Sequence, residues 1–321
     1  MNEFELIARY FTPPARRARV GVGDDCAVLA VTPGHELAIS TDMLVAGRHF
    51  LPDTDAQALG HKTLAVNLSD LAACGALPRY ALLALALPEV EQDWLENFAR
   101  GFFALAEVHE VELIGGDTTR GPLNLCVTVL GEVPAGQALL RSGARPGDEI
   151  WVSGCLGDAA LGLAHLLGKR DLDAAAKEYA LARLHRPLPR VALGQALRGL
   201  AHAAIDVSDG FLGDLTHILA ASACSATIEL DALPRSAALR ACPDATLARD
   251  CLLAGGDDYE LCFTAAPEQD ASIVALGAQL GLAVTRVGRV ESGQAGTLRL
   301  IDHEGREVPV GRRGFDHFSG N

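Results

Sequence analysis

The chain has 321 residues, 49% of them apolar and 21% charged, a length that accommodates two domains, each able to bury a core. Its 41 acidic and 27 basic side chains give a formal charge of −14, which disfavours nucleic acid and anionic membranes as partners and suits divalent cations if carboxylates converge. Aromatic residues make up only 5%, too few for a channel that stacks the bases of a single strand.

In chain order, Leu37 to Ile39 forms a short apolar run leading into Ser40-Thr41-Asp42. The spacing of Leu64, Leu68 and Leu71 predicts a helix from about Ala58 to Cys74, stopped by Gly75 and then Pro78. Ala81 to Leu87 reads as a buried strand and residues 92–109 as a second helix. Val111 to Ile114 is a strand running into Gly115-Gly116-Asp117, and Leu123 to Val133 another. The turn-rich stretches at Pro134 to Gln137 and Ser142 to Asp148 resemble a domain connector, placing the first domain at 1–137 and the second at 138–321. Beyond them come strands at Glu149 to Ser153, Ala203 to Val207, Tyr259 to Thr264 and Ala283 to Val290. Helices are expected at 158–168 and from about Asp209 to Ala221. The alternation predicts two α/β domains.

The eight cysteines form no CxxC pair, so a zinc knuckle or thioredoxin-like site is not expected. Several, such as Cys126 and Cys262, fall inside apolar runs that suit a reduced, buried thiol. The N-terminus lacks the pattern of a signal peptide, and the longest apolar run, Tyr80 to Leu87, is too short to span a bilayer. The expectation is a cytoplasmic protein that is not bound to a membrane.

Six short segments share one pattern, an apolar run that delivers carboxylates at a turn. They are Gly21-Val-Gly-Asp24-Asp25, Ser40-Thr41-Asp42, Asn67-Leu-Ser-Asp70, Gly115-Gly116-Asp117-Thr-Thr, Asp206-Val-Ser208-Asp209-Gly210 and Gly255-Gly-Asp257-Asp-Tyr-Glu260. Glycine lets backbone approach a ligand closely, and Asp, Ser and Thr supply the hard oxygens that Mg²⁺ prefers. Taken singly, each is more readily a turn or a helix cap. Asp70 differs, because it shares a helix face with Asn67 on an otherwise apolar flank, where it needs a partner or a metal. The familiar phosphate loops are missing: Gly168-Lys169 has no glycine at 163, and Cys26 stands where a GxGxxG repeat needs glycine. ATP, if bound, must be held through metal ions and glycine amides.

These segments, with Ile39 to Phe50, Ala65 to Gly75, Ile114 to Gly121, Arg141 to Asp148, Ile205 to Gly210, Gly255 to Leu261 and Gly314 to Phe318, resemble in order the thiamine-monophosphate kinases. That family lies within a superfamily that includes aminoimidazole ribonucleotide synthetase and selenophosphate synthetase. The resemblance implies an N-terminal domain that binds ATP and metal and dimerises through its sheet. It implies a C-terminal α/β domain, an active site in the cleft between the two, and the reaction of ATP with thiamine monophosphate to give thiamine diphosphate by direct in-line transfer.

Matched position by position, the resemblance implies Mg²⁺ ligands at Asp25, Ser40, Thr41, Asp42, Asp70, Asp117, Asp206 and Asp209. It implies ATP contacts at Gly116, Asp117, Arg141 and Ser208, and substrate contacts at His49, Asp257 and Phe315. Several Mg²⁺ ions would neutralise two phosphates brought together, and an acceptor already ionised near neutral pH needs no general base. Bottom-up, His49 could equally be a satisfied, partly buried histidine, and Arg141 could pair with Asp148 or another surface acid. The alternatives are another ATP-using member of the superfamily, or a divalent-cation-binding module without catalysis. Against the former, residues 1–25 hold neither Cys nor Lys, and the chain closes on Ser-Gly-Asn with no final cysteine.

Overall fold

The computed structural model describes residues 2–311 and Gly314. It divides into two compact units, Met1–Leu71 with Ala76–Gly136, and Ala72–Gly75 with Gln137–Asn321. Both are mixed α/β, as the alternation of elements predicts.

The first unit contains α1 (Glu3–Tyr10), β1 (His35–Val45), α2 (Ala56–Ala73), β2 (Leu77–Leu87), α3 (Gln92–Val108), β3 (Glu112–Arg120) and β4 (Asn124–Pro134). A capping box starts α1: Asn2 accepts the Glu5 N–H, and Glu5 accepts the Asn2 N–H, both at 2.9 Å. The four strands lie in the order β1-β4-β2-β3, antiparallel except for β2 and β3, which α3 joins as a parallel crossover. Leu83, Leu85, Val127 and Val129 share a core with Leu64, Leu68, Phe98 and Phe102 of the helices. Helices α2 and α3 approach at two glycines, since a Cβ on Gly101 would stand 1.8 Å from the Gln57 carbonyl and one on Gly60 2.0 Å from that of Phe98. On β1 the other sheet face leaves Leu37, Ile39 and Met43 exposed.

Two of the acidic segments sit differently from expectation. β1 does not end at Ile39: its ladder with β4 runs on from Ile39↔Leu130 through Asp42↔Val127 to Val45↔Asn124. Ser40, Thr41 and Asp42 are therefore inside a strand, as are Gly116 and Asp117 in β3, because backbone pairing continues regardless of side-chain polarity.

The second unit contains β5 (Glu149–Ser153), α4 (Asp158–Leu166), α5 (Ala174–His185), α6 (Val191–Ala196), β6 (Ala201–Val207) and α7 (Phe211–Ala221). It continues with β7 (Ser225–Glu229), α8 (Ala237–Arg240), α9 (Ala245–Ala254), β8 (Glu260–Ala265), α10 (Asp270–Gln279), β9 (Val284–Glu291), β10 (Thr297–Ile301) and β11 (Glu307–Val308). Its seven-stranded sheet runs β11-β10-β7-β9-β5-β8-β6. The core gathers Ile150, Val152, Ile205, Val207 and Cys262 from the sheet with Leu161, Phe211, Leu215 and Ile218 from the helices. Burial pushes the Cys251 thiol up to about 12 and that of Cys262 higher still, so both stay protonated. None of the eight cysteines is in a disulfide, and Cys126 is only half-buried. Among the described residues, no helix is long and apolar enough to cross a membrane.

Candidate active site

Helix α2 and strand β1 hold three of the expected ligands together. Asn67 and Asp70 face β1 from one side of the helix, as their spacing predicts. The Asp42 N–H donates to Asn67 Oδ1 at 2.9 Å, and the Ser40 hydroxyl donates to Asp70 Oδ2. Asn67 is fully buried and is itself fixed by donating to the Thr63 carbonyl at 3.0 Å. The partner that an acid on this flank requires is thus Ser40. Thr41 points the other way along the strand and shares a hydroxyl contact of 2.8 Å with Thr128. The register places Asp42 in the row Asp42–Val127–Leu83–Gly116 and Asp117 in the adjacent row Met43–Cys126–Ala84–Asp117. Asp42 and Asp117 therefore lie in adjacent rows on the two edge strands, with β4 and β2 between them.

Gly116 cannot be another residue here: its φ is +148°, and a Cβ would lie 1.8 Å from the Leu83 carbonyl oxygen. Beyond Asp117, a cavity of about 430 Å³ is lined by Glu3, Leu6, Leu87, Val90, Thr118 and Arg120. His49 follows β1, and its Nδ1 accepts the Val45 N–H at 3.0 Å, which puts the proton of the neutral ring on Nε2.

Asp25 is exposed near the tip of a loop closed by Val20 and Val28, where the Val28 N–H donates to the Val20 carbonyl at 3.0 Å. Two buried glutamates pin this segment. Glu112 accepts the N–H of Arg17 at 2.7 Å and of Ala18 at 3.2 Å. Glu132 accepts the Thr32 N–H at 2.8 Å and its hydroxyl at 2.7 Å. Burial alone would raise both carboxyl groups, but these donors outweigh it and hold each below the ordinary carboxylate value.

In the second unit, β6 carries Asp206, buried, into Ser208 and the exposed Asp209. The turn is organised by Asp214 in the first turn of α7, whose Oδ2 accepts the N–H groups of Ser208, Asp209 and Gly210 at 3.0 to 3.1 Å. Burial, and next the Asp209 charge, push Asp214 up to about 7 despite those three bonds. The loop before β8 lies alongside: the Asp257 N–H donates to the Ser208 carbonyl and the Tyr259 N–H to that of Val207, both at 2.8 Å. Arg141 is exposed and, among the described residues, makes no side-chain ion pair. Asp148 is filled instead by the Arg145 N–H and by His202 at 2.9 Å. Phe315 lies outside the described residues.

The donor set, carboxylates with hydroxyls beside them, fits Mg²⁺ in kind. Among the described residues no three His, Cys, Asp or Glu side chains stand close enough to hold an ion by themselves, so phosphate oxygens would complete any ion's shell. The supporting acids Asp214, Glu112 and Glu132 escape a reading of the sequence, and Glu260 appears there only as one carboxylate of the sixth segment. Of the first three, only Asp214 leaves a trace there, four residues past Gly210 at a helix start.

Residues 23–133 match the AIR synthase related protein N-terminal domain, and residues 145–301 the C-terminal domain of the same family. The thiamine-monophosphate kinase of Salmonella typhimurium is 49% identical over 99% of this chain and 98% of its own length. The crystal structure of thiamine-monophosphate kinase from Stenotrophomonas maltophilia superposes with a TM-score of 0.85 at 48% identity, covering 95% of this chain and 96% of that one. AaThiL, complexed with AMPPCP and TMP, gives 0.79 at 31% identity over 90% and 89%. Spanning both AIR synthase related domains and nearly the full length of these relatives, the chain belongs to the thiamine-monophosphate kinase family.

Proposed function

We propose that this protein is an enzyme that transfers the γ-phosphoryl group of ATP to thiamine monophosphate, giving thiamine diphosphate and ADP as the last step of thiamine diphosphate synthesis. The observation that carries this reading is 49% identity to a thiamine-monophosphate kinase across 99% of the chain. The acidic segments fall inside that match and sit on strands, turns and helix α2, which fix their backbones.

Asp25, Ser40, Thr41, Asp42, Asp70 and Asp117, with Asp206 and Asp209 of the second unit, would hold several Mg²⁺ ions. When bound, these supply charge neutralisation for two phosphates and stabilise the charge that develops in the transition state. The chain's own groups do the positioning. Gly116 offers backbone without a side chain, Ser208 a hydroxyl on a turn fixed by Asp214, and Arg141 an exposed cation for the ATP phosphates. His49 presents an Nε2–H donor towards substrate, while Asp257 and Phe315 would meet the thiamine moiety. The acceptor oxygen is already ionised, so no side chain need remove a proton, and no phosphoenzyme is required.

The first domain, 1–137, is assigned ATP, metal and dimer contacts, and 138–321 forms the C-terminal α/β domain. Exposed Leu37, Ile39 and Met43 on one sheet face support a homodimer formed through that sheet. A cytoplasmic location fits eight cysteines outside any disulfide and the use of ATP. The test is coupled ADP release by the purified protein with ATP and Mg²⁺, comparing thiamine monophosphate, thiamine and formylglycinamidine ribonucleotide. Turnover with thiamine monophosphate alone is expected. ADP release only with another acceptor would assign a different superfamily activity, and metal binding without turnover a non-catalytic module.

A further inference from the structure

Asp257 and Tyr259 both adopt left-handed backbone, φ +68° and +50°, a conformation that non-glycine residues keep only where their surroundings over-determine it. Here they do. The N–H groups of both residues are held by the carbonyls of Ser208 and Val207. Between them Asp258, buried, accepts the Gly157 N–H at 2.8 Å, and Arg183 donates to its carbonyl at 3.1 Å. Next, Glu260 is locked by Ser153, Arg183 and Arg190 at 2.6 to 2.7 Å. The doubled turn brings the Tyr259 ring back beneath Asp257. Its hydroxyl donates to Asp257 Oδ1 at 3.0 Å, while Tyr259 as a whole is 7% exposed.

We propose that Tyr259 is a positioning residue: its phenol fixes the direction in which the Asp257 carboxylate meets substrate. This rests on the reading that Asp257 contacts thiamine monophosphate. The backbone sets where Cβ of Asp257 points, but the carboxylate can still rotate about the side-chain torsions. A donor on Oδ1 removes that freedom, and a bond from a phenol to a carboxylate is charge-assisted. Orientation fixed before binding is ordering that substrate does not have to impose, so its loss weakens binding more than the transfer step.

The test is Tyr259→Phe, which keeps the ring and removes the donor, assayed beside Asp257→Asn and the double variant. Tyr259→Phe is expected to raise KM for thiamine monophosphate about tenfold, the size of one hydrogen bond to a charged group, with kcat and KM for ATP held within about twofold. The double variant should be no worse than Asp257→Asn alone, because the phenol acts only through that carboxylate. An unchanged KM, a loss in kcat instead, or losses that add fully in the double variant would overturn the inference. So would a variant that melts far below wild type, which would show a structural role. Absence of turnover in the wild type would overturn the functional reading as well, whereas wild-type turnover with KM unmoved in Tyr259→Phe overturns this inference alone.

Discussion

Three acids assigned to metal in the first unit and three framework acids of the second are held in opposite ways. In the first, Asp25 and Asp117 are exposed on a loop tip and a strand, and Asp70 is met by a hydroxyl. In the second, Asp214, Asp258 and Glu260 lie buried, their oxygens turned to backbone N–H groups, guanidinium groups or a serine. A buried acid that the protein itself satisfies is framework, because leaving it unmatched would cost more than it could return in binding. An acid at the rim, beside hydroxyls, suits a cation that arrives with its own oxygen ligands. Sequence shows both kinds as the same glycine-flanked carboxylates. Only the accounting of hydrogen bonds separates them.

The comparison breaks most sharply on activity. Asp42→Asn and Asp117→Asn keep size and most hydrogen bonding while removing a charge from the set assigned to metal. Each is expected to lower kcat at least about a thousandfold in the ADP-release assay, with a melting temperature close to wild type. Near wild-type turnover in either variant at saturating Mg²⁺ would move that residue from the ligand set to the framework.

A buried acid should behave the other way. Glu260→Ala strands Arg183 and Arg190, which are only 11% and 16% exposed, without their shared carboxylate. The expected loss is about 3–5 kcal/mol in denaturant unfolding. Glu96→Ala, which removes one end of the exposed pair with Arg100 at 3.2 Å, is expected to cost less than about 1 kcal/mol. Equal costs would mean that burial does not distinguish the two pairs.

Much of the first unit is legible because its signals are local. The leucine spacing of α2 and the glycine at 75 set its length to within two residues, and the i, i+3 relation of Asn67 and Asp70 correctly puts both on one face, which the structure turns to β1. Strand β1 shows where local signals fail: Ser40 to Asp42 read as a turn, but pairing with β4, some ninety residues away, carries the strand through them. Helices α5, α9 and α10 have no counterpart among the elements read from the sequence. The clamps on the candidate site are the least legible of all. Glu112 with Arg17 and Glu260 with Ser153 join residues 95 and 107 apart, and no spacing rule connects them.

Asp158 refines the comparison further, because it is buried and yet incompletely satisfied. Ser236 donates to its Oδ1, but Oδ2 has no partner among the described residues. Burial, opposed by Ser236 and Arg183, pushes its carboxyl from the ordinary 3.8 up to about 6. The folded state therefore keeps its proton at pH values where the unfolded chain has lost it. Stability from this group is complete below about 3.8 and is lost as pH rises through about 6, a difference on the order of 3 kcal/mol. Asp158→Asn removes the titration while leaving an oxygen for Ser236. Measured between pH 3.5 and pH 7.5, wild type should lose more stability than the variant, the gap widening from about pH 4 and levelling off just above pH 6. Every other titrating group is common to both proteins, so parallel pH curves would mean that Asp158 ionises alike folded and unfolded. It would then belong with the acids that the fold satisfies in full.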